Sequence, residues 1–251
     1  MSRHLATELP GCTIDAVLSG ADRLPCASCP MREFGVCKAV DDTTAGYLNR
    51  HLTRRTCAPH ETILHEGDEA DRVGVIRSGM AAVVKYSDAG RRQIVGFLEP
   101  GDVLGLSSHD KYFAGVEALT EVETCLFPRT VFEEALRQHP EVTPDVIRLV
   151  SNERVEAAEH ELLLSQFSAR ERLAAFLMRR AERFGAEAED IREIRVDTTR
   201  QDIGDYLDLS MENVSRGLDD MARRGIVSLP TPRIAVLKDM RHLRKLATAA
   251  D

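Results

Sequence analysis

The 251-residue sequence predicts an α+β protein in which an antiparallel β domain is followed by one long helix and a helix-turn-helix module. Two changes of pattern predict this order. From about residue 56 to 130, β-rich runs of five or six residues alternate with glycine-bearing turns, as in antiparallel sandwiches and barrels. After Pro144, glycine is absent until Gly185 and apolar residues recur at intervals of three and four, which is typical of helices.

Composition and charge exclude several classes of protein. An apolar fraction of 43% and a charged fraction of 29% exclude disordered, collagen-like and disulfide-scaffold chains. No run approaches the length of a membrane span and the first residues lack a signal-peptide core, so we expect a cytoplasmic protein with no membrane contact. The net charge of −8 divides into −9 for residues 1–164 and +1 for residues 165–251, which leaves DNA binding open for the second part.

An irregular N-terminal arm carries three closely spaced cysteines. Cys26, Cys29 and Cys37 follow the pattern C-x2-C-x7-C, and thiolates at such spacing can hold a metal ion or one edge of an iron–sulfur cluster. Three ligands require a fourth, which Cys57 or Cys125 could supply. Zinc and an iron–sulfur cluster both fit this spacing. A disulfide is less compatible with a reducing compartment, and independent thiols are the remaining alternative.

The elements that follow the arm are a short helix, the β domain and a long helix. Residues 43–55 are predicted to form the short helix. On the long helix, a stripe with coiled-coil spacing predicts a dimer seam. Its positions are Ile147, Val150, Arg154, Ala157, Glu161 and Leu164. Two charged positions weaken such a seam unless they pair, so we expect a conditional homodimer; the alternative is an amphipathic helix packed on the β domain.

The end of the chain has the order of a winged helix-turn-helix module. Residues 198–237 contain a helix, a tight turn, a second helix and a hairpin. Thr199 and Ser210 are expected to cap the two helices, and Gly204 allows the second helix to cross closely. Asp208 occupies the turn, where a positive φ is needed. The module therefore predicts DNA binding.

In such modules the start of the second helix enters the major groove. Its outward residues here are Glu212, Asn213, Ser215, Arg216 and Asp219. Arginine can bond guanine O6 and N7, glutamate can accept from cytosine N4, and serine suits several bases. The alternative interpretation is an ordinary solvated helix face.

Four features of the sequence together resemble the Crp/Fnr superfamily of bacterial transcription regulators and, within it, the oxygen-sensing Fnr group. They are the Cys26/Cys29/Cys37 trio with a distant Cys125, the motif Gly101-Asp102-Val103-Leu104-Gly105, LLLSQFSARERLAAFL at 162–177 and DIGDYLDLSMENVSR at 202–216. The last contains Glu212-x2-Ser215-Arg216, which is similar to the Fnr recognition signature. The x7 gap before Cys37 is similar to that of α-proteobacterial Fnr proteins.

The resemblance implies both an architecture and a function. The architecture is a cysteine-rich arm at 1–42, a β-roll (cupin-like jelly roll) sensor domain at 43–139, a dimerisation helix at 140–166 and a winged helix-turn-helix domain at 167–251. The function is an oxygen-responsive transcriptional regulator, typically an activator. Its 4Fe-4S cluster would be held by Cys26, Cys29, Cys37 and Cys125 and would promote homodimerisation when oxygen is low.

The resemblance also implies partners. Double-stranded promoter DNA with a palindromic TTGAT-N4-ATCAA site would be read by Glu212, Ser215 and Arg216, and RNA polymerase would be the protein partner. Cyclic-AMP-binding relatives carry an Arg-Ser or Arg-Thr pair, whereas Tyr112-Phe113-Ala114 follows here, so no cyclic nucleotide is expected.

Two further expectations concern chemistry. The sequence has no Gly-x-Ser-x-Gly, phosphate loop or His-Glu-x-x-His, so we expect no enzyme. The eight histidines form no haem site, and His65, His109 and His139 are expected at the surface or in turns. The alternative function is a zinc- or thiol-based redox regulator of the same fold without an iron–sulfur cluster.

Overall fold

The computed structural model describes residues 26, 29–33, 35–183 and 192–248. Two compact units are distinguished, one within Cys12–Glu156 and the other within Ala157–Asp251. Most of the predicted arm lies outside the described residues. Within the described ranges, none of the helices combines the length and the apolar character that crossing a bilayer requires.

The first unit is built on an antiparallel β-roll, as predicted. Its strands are β1 (Thr53–Cys57), β2 (Thr62–Leu64), β3 (Arg72–Ser78), β4 (Ala81–Tyr86), β5 (Arg92–Leu98), β6 (Val103–Leu104), β7 (Gly115–Ala118) and β8 (Val122–Pro128). They form two four-stranded sheets, in the orders β1-β8-β3-β6 and β2-β7-β4-β5. Side chains such as Ile76, Leu104 and Tyr112 are buried together as the core of the roll.

The short helix before the roll ends earlier than the sequence predicts. Helix α1 (Asp42–Asn49) is capped by the Asp41 carboxylate, which accepts from the Thr44 N–H at 2.7 Å. The prediction that helix continues to residue 55 is wrong, because Thr53–Cys57 pairs along its whole length with β8. Strand pairing and burial override the local helical pattern there.

A second layer covers the outer face of the β1-β8-β3-β6 sheet. Helix α2 (Arg129–Gln138) follows β8, and a 3-10 turn, Pro140–Val142, leads into the long helix α3 (Thr143–Gln166). Val36, Val73, Val75 and Val103 form a small core on this face, with Phe132 packed against them. Two short 3-10 turns, Pro30–Glu33 and Gly35–Ala39, carry the cysteine segment.

The long helix presents apolar side chains to solvent. Of the six positions of the predicted seam, all are exposed except Leu164, which is half-buried. Ile147, Val150, Val155 and Leu162 are between 47% and 60% exposed. Val155 and Leu162 broaden the predicted stripe. The buried residues of the helix, His160 and Leu163, lie on another side of it.

The second unit has the predicted winged helix-turn-helix order. Its elements are α4 (Ala169–Arg183), β9 (Arg192–Arg195), α5 (Arg200–Leu207), α6 (Met211–Arg223), β10 (Val227–Thr231), β11 (Ile234–Leu237) and α7 (Met240–Ala247). The strands form one sheet in the order β10-β11-β9. At the start of α4 the Glu171 carboxylate accepts from the Ser168 N–H at 2.7 Å, and Leu173, Phe176 and Leu177 form its buried face.

Candidate metal centre and nucleic-acid interface

Four cysteines from distant parts of the chain line one cavity in the first unit. Cys26, Cys29 and Cys37 reach it from the N-terminal segment, and Cys125 reaches it from β8. All four are free and half-buried. The rest of the lining is mainly aliphatic and aromatic, with Arg32 and Arg77 as its charged members.

The alternation of strand β8 decides which cysteine joins the cavity. Val122 and Leu126 point into the core of the roll, whereas Cys125 and Phe127 face the cavity on the other side of the sheet. Cys57 is fully buried in the core of the roll. Of the two residues that the sequence offers as a fourth ligand, the structure therefore brings Cys125 to the trio and separates Cys57 from it.

Backbone contacts hold the cysteine segment against the roll. Gly35 has a φ of 52°, and a Cβ there would lie 2.0 Å from the carbonyl oxygen of Gly101, so no larger residue fits. The Cys26 N–H donates to Asn49 Oδ1 at 3.2 Å, and the Arg32 guanidinium donates to the Val40 carbonyl at 2.5 Å. The segment is thereby fixed both to the Gly101 motif and to α1.

Burial raises the pKa of three of the cavity thiols, those of Cys26, Cys37 and Cys125. It raises the pKa of Cys37 to about 12, and the nearby Cys125, Cys29 and Cys26 add to this effect. It raises the pKa of Cys125 to about 11. The pKa of Cys26 is raised for the same reason. Since the thiolate is the ligand form, loading this site with metal would release protons.

Three arginines favour the thiolate forms. Arg54, Arg32 and Arg77 each lower the pKa of Cys26 against the larger effect of burial. At Cys125 burial raises the pKa, whereas Arg77 and, more weakly, Arg54 lower it. The cavity therefore combines an apolar lining with positive charge at its edge, which suits an anionic group held by four thiolates.

The sulfurs are more widely spaced than a tetrahedral zinc site requires. Zinc–sulfur bonds of about 2.3 Å place thiolates about 3.8 Å apart. Among the described residues, no three of the four cysteine sulfurs lie within 4.8 Å of one another. In this structure the four sulfurs are therefore not gathered as closely as a single zinc ion would hold them.

The second site is the exposed start of α6. The turn before it is built as the sequence predicts: Thr199 and Asp202 form a capping box, Asp208 has φ 53° and ψ 50°, and Ser210 Oγ accepts from the Asn213 N–H at 3.2 Å. A Cβ on Gly204 would lie 2.4 Å from the Leu209 carbonyl oxygen. The backbone of the turn therefore approaches α5 more closely than any side chain would allow.

The predicted reading residues lie on one exposed surface. Glu212 and Arg216 are exposed and Ser215 is half-buried, while Val214, Leu218 and Met221 pack inward. Arg216 pairs with Glu212 at 3.2 Å and donates to Asn213 Oδ1 at 3.2 Å. In the free protein the guanidinium is thus held beside the carboxylate at the end of the helix that enters DNA in such modules.

Sequence reasoning missed the arginines of the cysteine cavity. Arg77 is 3% exposed and pairs with Glu123 at 3.1 Å. A sequence signal for Arg77 exists, because it follows the apolar run of β3 (Arg72–Ser78), a pattern that is typical of a buried strand. A charge in such a strand indicates a buried partner.

Two family models match the chain. Residues 54–139 match the cyclic nucleotide-binding domain, and residues 171–246 match the Crp-like helix-turn-helix domain. These ranges fall on the β-roll and on the second unit respectively.

Curated relatives are similar over most of their length. The transcriptional activator protein FnrL of Cereibacter sphaeroides is 31% identical over 222 residues, which are 87% of this chain and 90% of that protein. Nitrogen fixation regulation protein FixK of Bradyrhizobium diazoefficiens is 32% identical over 225 residues, 89% of this chain and 94% of FixK. An anaerobic regulatory protein of Pasteurella multocida is 30% identical over 234 residues, which are 92% of this chain and 85% of that protein.

Solved structures agree with the architecture. FixK2 from Bradyrhizobium japonicum superposes with a TM-score of 0.73 at 32% identity, covering 80% of this chain and 99% of that one. A CooA mutant from Carboxydothermus hydrogenoformans has a TM-score of 0.70 at 19% identity, covering 80% and 90%, and so supports the fold alone.

Proposed function

Because the chain belongs to the Crp/Fnr family of transcription regulators, which are not enzymes, we propose that it is an oxygen-responsive regulator carrying a 4Fe-4S cluster. The observation that carries this proposal is that Cys26, Cys29, Cys37 and Cys125 all line the same cavity. These four cysteines would hold the cluster. When bound, the cluster supplies an iron–sulfur core that persists without oxygen and is degraded by it, as the resemblance to Fnr proteins implies.

The chain's own residues make the cavity suitable for such a group. The lining is mainly apolar, and Arg32, Arg54 and Arg77 offset the negative charge of four thiolates. Because Gly35 packs closely on Gly101, a movement of the cysteine segment would also displace the Gly101 turn of the β-roll. Ligation of the four cysteines would fix this segment, because Cys26, Cys29 and Cys37 belong to it and Cys125 lines the same cavity from β8.

The long helix supports a homodimer. Ile147, Val150, Val155 and Leu162 are exposed on α3, and burying them between two copies would remove apolar surface from water. Arg154 and Glu161 lie among them and are exposed. A charged seam of this kind makes association conditional, so that a bias of a few kcal/mol changes the dimer population strongly.

We assign promoter DNA as the partner of the second unit. Glu212, Ser215 and Arg216 would read the half-sites of a palindrome of the TTGAT-N4-ATCAA type, with Arg216 on guanine. RNA polymerase is the further partner that the resemblance implies. The cytoplasmic location expected from the sequence follows, since promoter DNA is there.

We further propose that this β-roll takes no cyclic nucleotide, although it matches that domain model. No arginine occurs between residues 105 and 129. Tyr112, in this segment, fills the core of the roll, and its hydroxyl donates to the Arg72 carbonyl at 2.9 Å. An isothermal titration with cyclic AMP should give no heat of binding above that of dilution.

The test is the visible absorption spectrum of protein purified without oxygen and then exposed to air. We expect a broad band that bleaches together with loss of the dimer. Cys125→Ala should remove the band, whereas Cys57→Ala is the matched control and should retain it. A colourless protein with stoichiometric zinc would overturn the cluster and favour the zinc-based regulator, and a larger loss in Cys57→Ala would overturn the fourth ligand.

A further inference from the structure

We propose that Asp41, His139 and Glu141 form a binding site for a divalent metal ion, separate from the cysteine cavity. One ligand atom from each residue lies within 4.8 Å of the other two. His139 and Glu141 are two residues apart, whereas Asp41 lies about a hundred positions earlier in the chain and is brought to them by the fold. Among the described residues no other group of histidine, cysteine and carboxylate ligand atoms is this close.

Each ligand is held by local backbone structure. Asp41 caps α1, so one of its oxygens is engaged by the Thr44 N–H at 2.7 Å. His139 is the C-cap residue that follows α2, and its N–H donates to the Ala135 carbonyl at 2.9 Å. Glu141 lies in the Pro140–Val142 turn, whose fixed geometry follows from its proline. The three side chains therefore start from positions that the fold already determines.

The three side chains carry metal-ligand atoms, and at least one of them is open to solvent. The His139 ring is largely buried, with 16% of the side chain exposed, and its Nδ1 lies 3.3 Å from Glu141 Oε1. Glu141 is 58% exposed and accessible to an incoming ion. The pKa of Asp41 is below its ordinary value, chiefly because Thr44 donates hydrogen bonds to it, so this carboxylate is charged.

The chemistry selects the class of ion. One imidazole and two carboxylates suit Mn²⁺, Fe²⁺ or Zn²⁺, with remaining positions filled by water. A soft ion such as Cu⁺ would instead prefer the thiolates of the cysteine cavity. The neighbouring Asp42 is not part of the set, because it pairs with Arg32 at 2.9 Å.

The three residues lie between the end of the cysteine segment and the start of α3. Asp41 follows Cys37 by four residues, and Glu141 precedes the first residue of α3, Thr143, by two. A bound ion would therefore fasten the end of the cysteine segment to the start of the long helix. Because an ion that binds only the folded protein adds to its stability, the melting temperature should rise with ion concentration.

The experiment is a Mn²⁺ titration of the full chain, with free Mn²⁺ measured by electron paramagnetic resonance. We expect one equivalent to bind. Glu141→Gln, which is exposed and nearly isosteric, and His139→Gln should each weaken binding about tenfold or more, since even outer-shell changes cost that much. His109→Gln and Glu121→Gln, which alter exposed side chains elsewhere in the first unit, are the matched controls and should bind as the parent does.

Three outcomes would overturn the proposal. The parent protein could leave all Mn²⁺ free, or Glu141→Gln and His139→Gln could bind Mn²⁺ as the parent does. Binding that is lost in Cys125→Ala but kept in Glu141→Gln would place the ion at the cysteines. A Mn²⁺-dependent rise in melting temperature that Glu141→Gln abolishes would support the site independently of any cluster.

Discussion

Arg77 and Glu123 form an ion pair of 3.1 Å beside the cysteine cavity, and their side chains are only 2% and 12% exposed. The pair joins β3 to β8 next to a shift in their register between Ile76 and Ser78. Arg77 lies in the lining of the cavity, and its charge opposes the rise in the pKa of Cys125 that burial causes. The pair therefore connects the stability of the sheet with the charge at the candidate metal centre.

Arg77→Met should destabilise the first unit strongly. The change leaves the Glu123 carboxylate buried without its partner, and the loss of one member of such a pair lowers the free energy of unfolding by about 3–5 kcal/mol. Urea denaturation of the metal-free protein measures the change. Arg137→Met, which breaks an exposed pair with Glu134 on α2, is the control and should cost about 1 kcal/mol or less.

The double variant R77M/E123L distinguishes a buried-charge effect from lost packing. If the unpaired carboxylate is responsible, replacing both partners should recover most of the stability. Equal losses in Arg77→Met and R77M/E123L would contradict the explanation.

Arg216→Ala should relax sequence preference rather than abolish DNA binding. The Arg216 side chain is 68% exposed at the start of α6, where a bidentate contact to guanine contributes about 1–3 kcal/mol of discrimination. Fluorescence anisotropy with duplexes that differ at one half-site guanine measures this at fixed salt. Arg223→Ala, an exposed arginine in the last turn of α6, is the control. An equal loss of affinity for all duplexes would instead make Arg216 a phosphate contact.

Gly204→Ala should disrupt the helix-turn-helix. An added Cβ would lie 2.4 Å from the Leu209 carbonyl oxygen, a backbone atom that cannot move without opening the turn. We expect weaker DNA binding and a lower melting temperature. Gly46→Ala is the matched control, since it lies in helix α1 with nothing within 4 Å, and should be neutral or stabilise by about 0.5–1 kcal/mol. A normal melting temperature for Gly204→Ala would show that the turn relaxes.

The features that the sequence predicts well are those with local causes. The Thr199 and Ser210 caps and the positive φ of Asp208 depend on residues within a few positions, and all three are present in the structure. The helix-turn-helix and the β-roll follow from such signals repeated along the chain. Recognition of the four cysteines similarly depended on spacing and on a family resemblance.

The features that the sequence could not give depend on which elements pack together. Residues Thr53–Cys57 become a strand because β8 pairs with them, although the sequence predicts helix as far as residue 55. The sequence does not distinguish Cys57 from Cys125 as the fourth ligand. In the structure Cys57 faces the core of the roll, whereas Cys125 faces the cavity. Likewise, nothing near His139 in the sequence indicates that Asp41 lies beside it.

A last prediction concerns His160, which stacks on Tyr206 with ring centroids 4.1 Å apart and an angle of 14°. Burial, followed by the charge of Arg179, lowers the pKa of His160 to about 4 from its ordinary 6.5. Between these values the unfolded chain binds a proton that the folded chain does not. The free energy of unfolding is therefore undiminished above pH 6.5 and falls as the pH decreases from 6.5 to 4, by about 3 kcal/mol in total.

Hydrogen exchange of the second unit at several pH values measures this loss, because the two units need not unfold together. His160→Phe keeps an aromatic ring against Tyr206 but cannot titrate, so its stability should fall less between pH 6.5 and 4. His242→Gln, an exposed histidine on α7, is the control and should follow the parent protein. If His160→Phe loses stability with the same slope as the parent, the acid sensitivity of this unit arises from other groups, and the stacked ring serves packing alone.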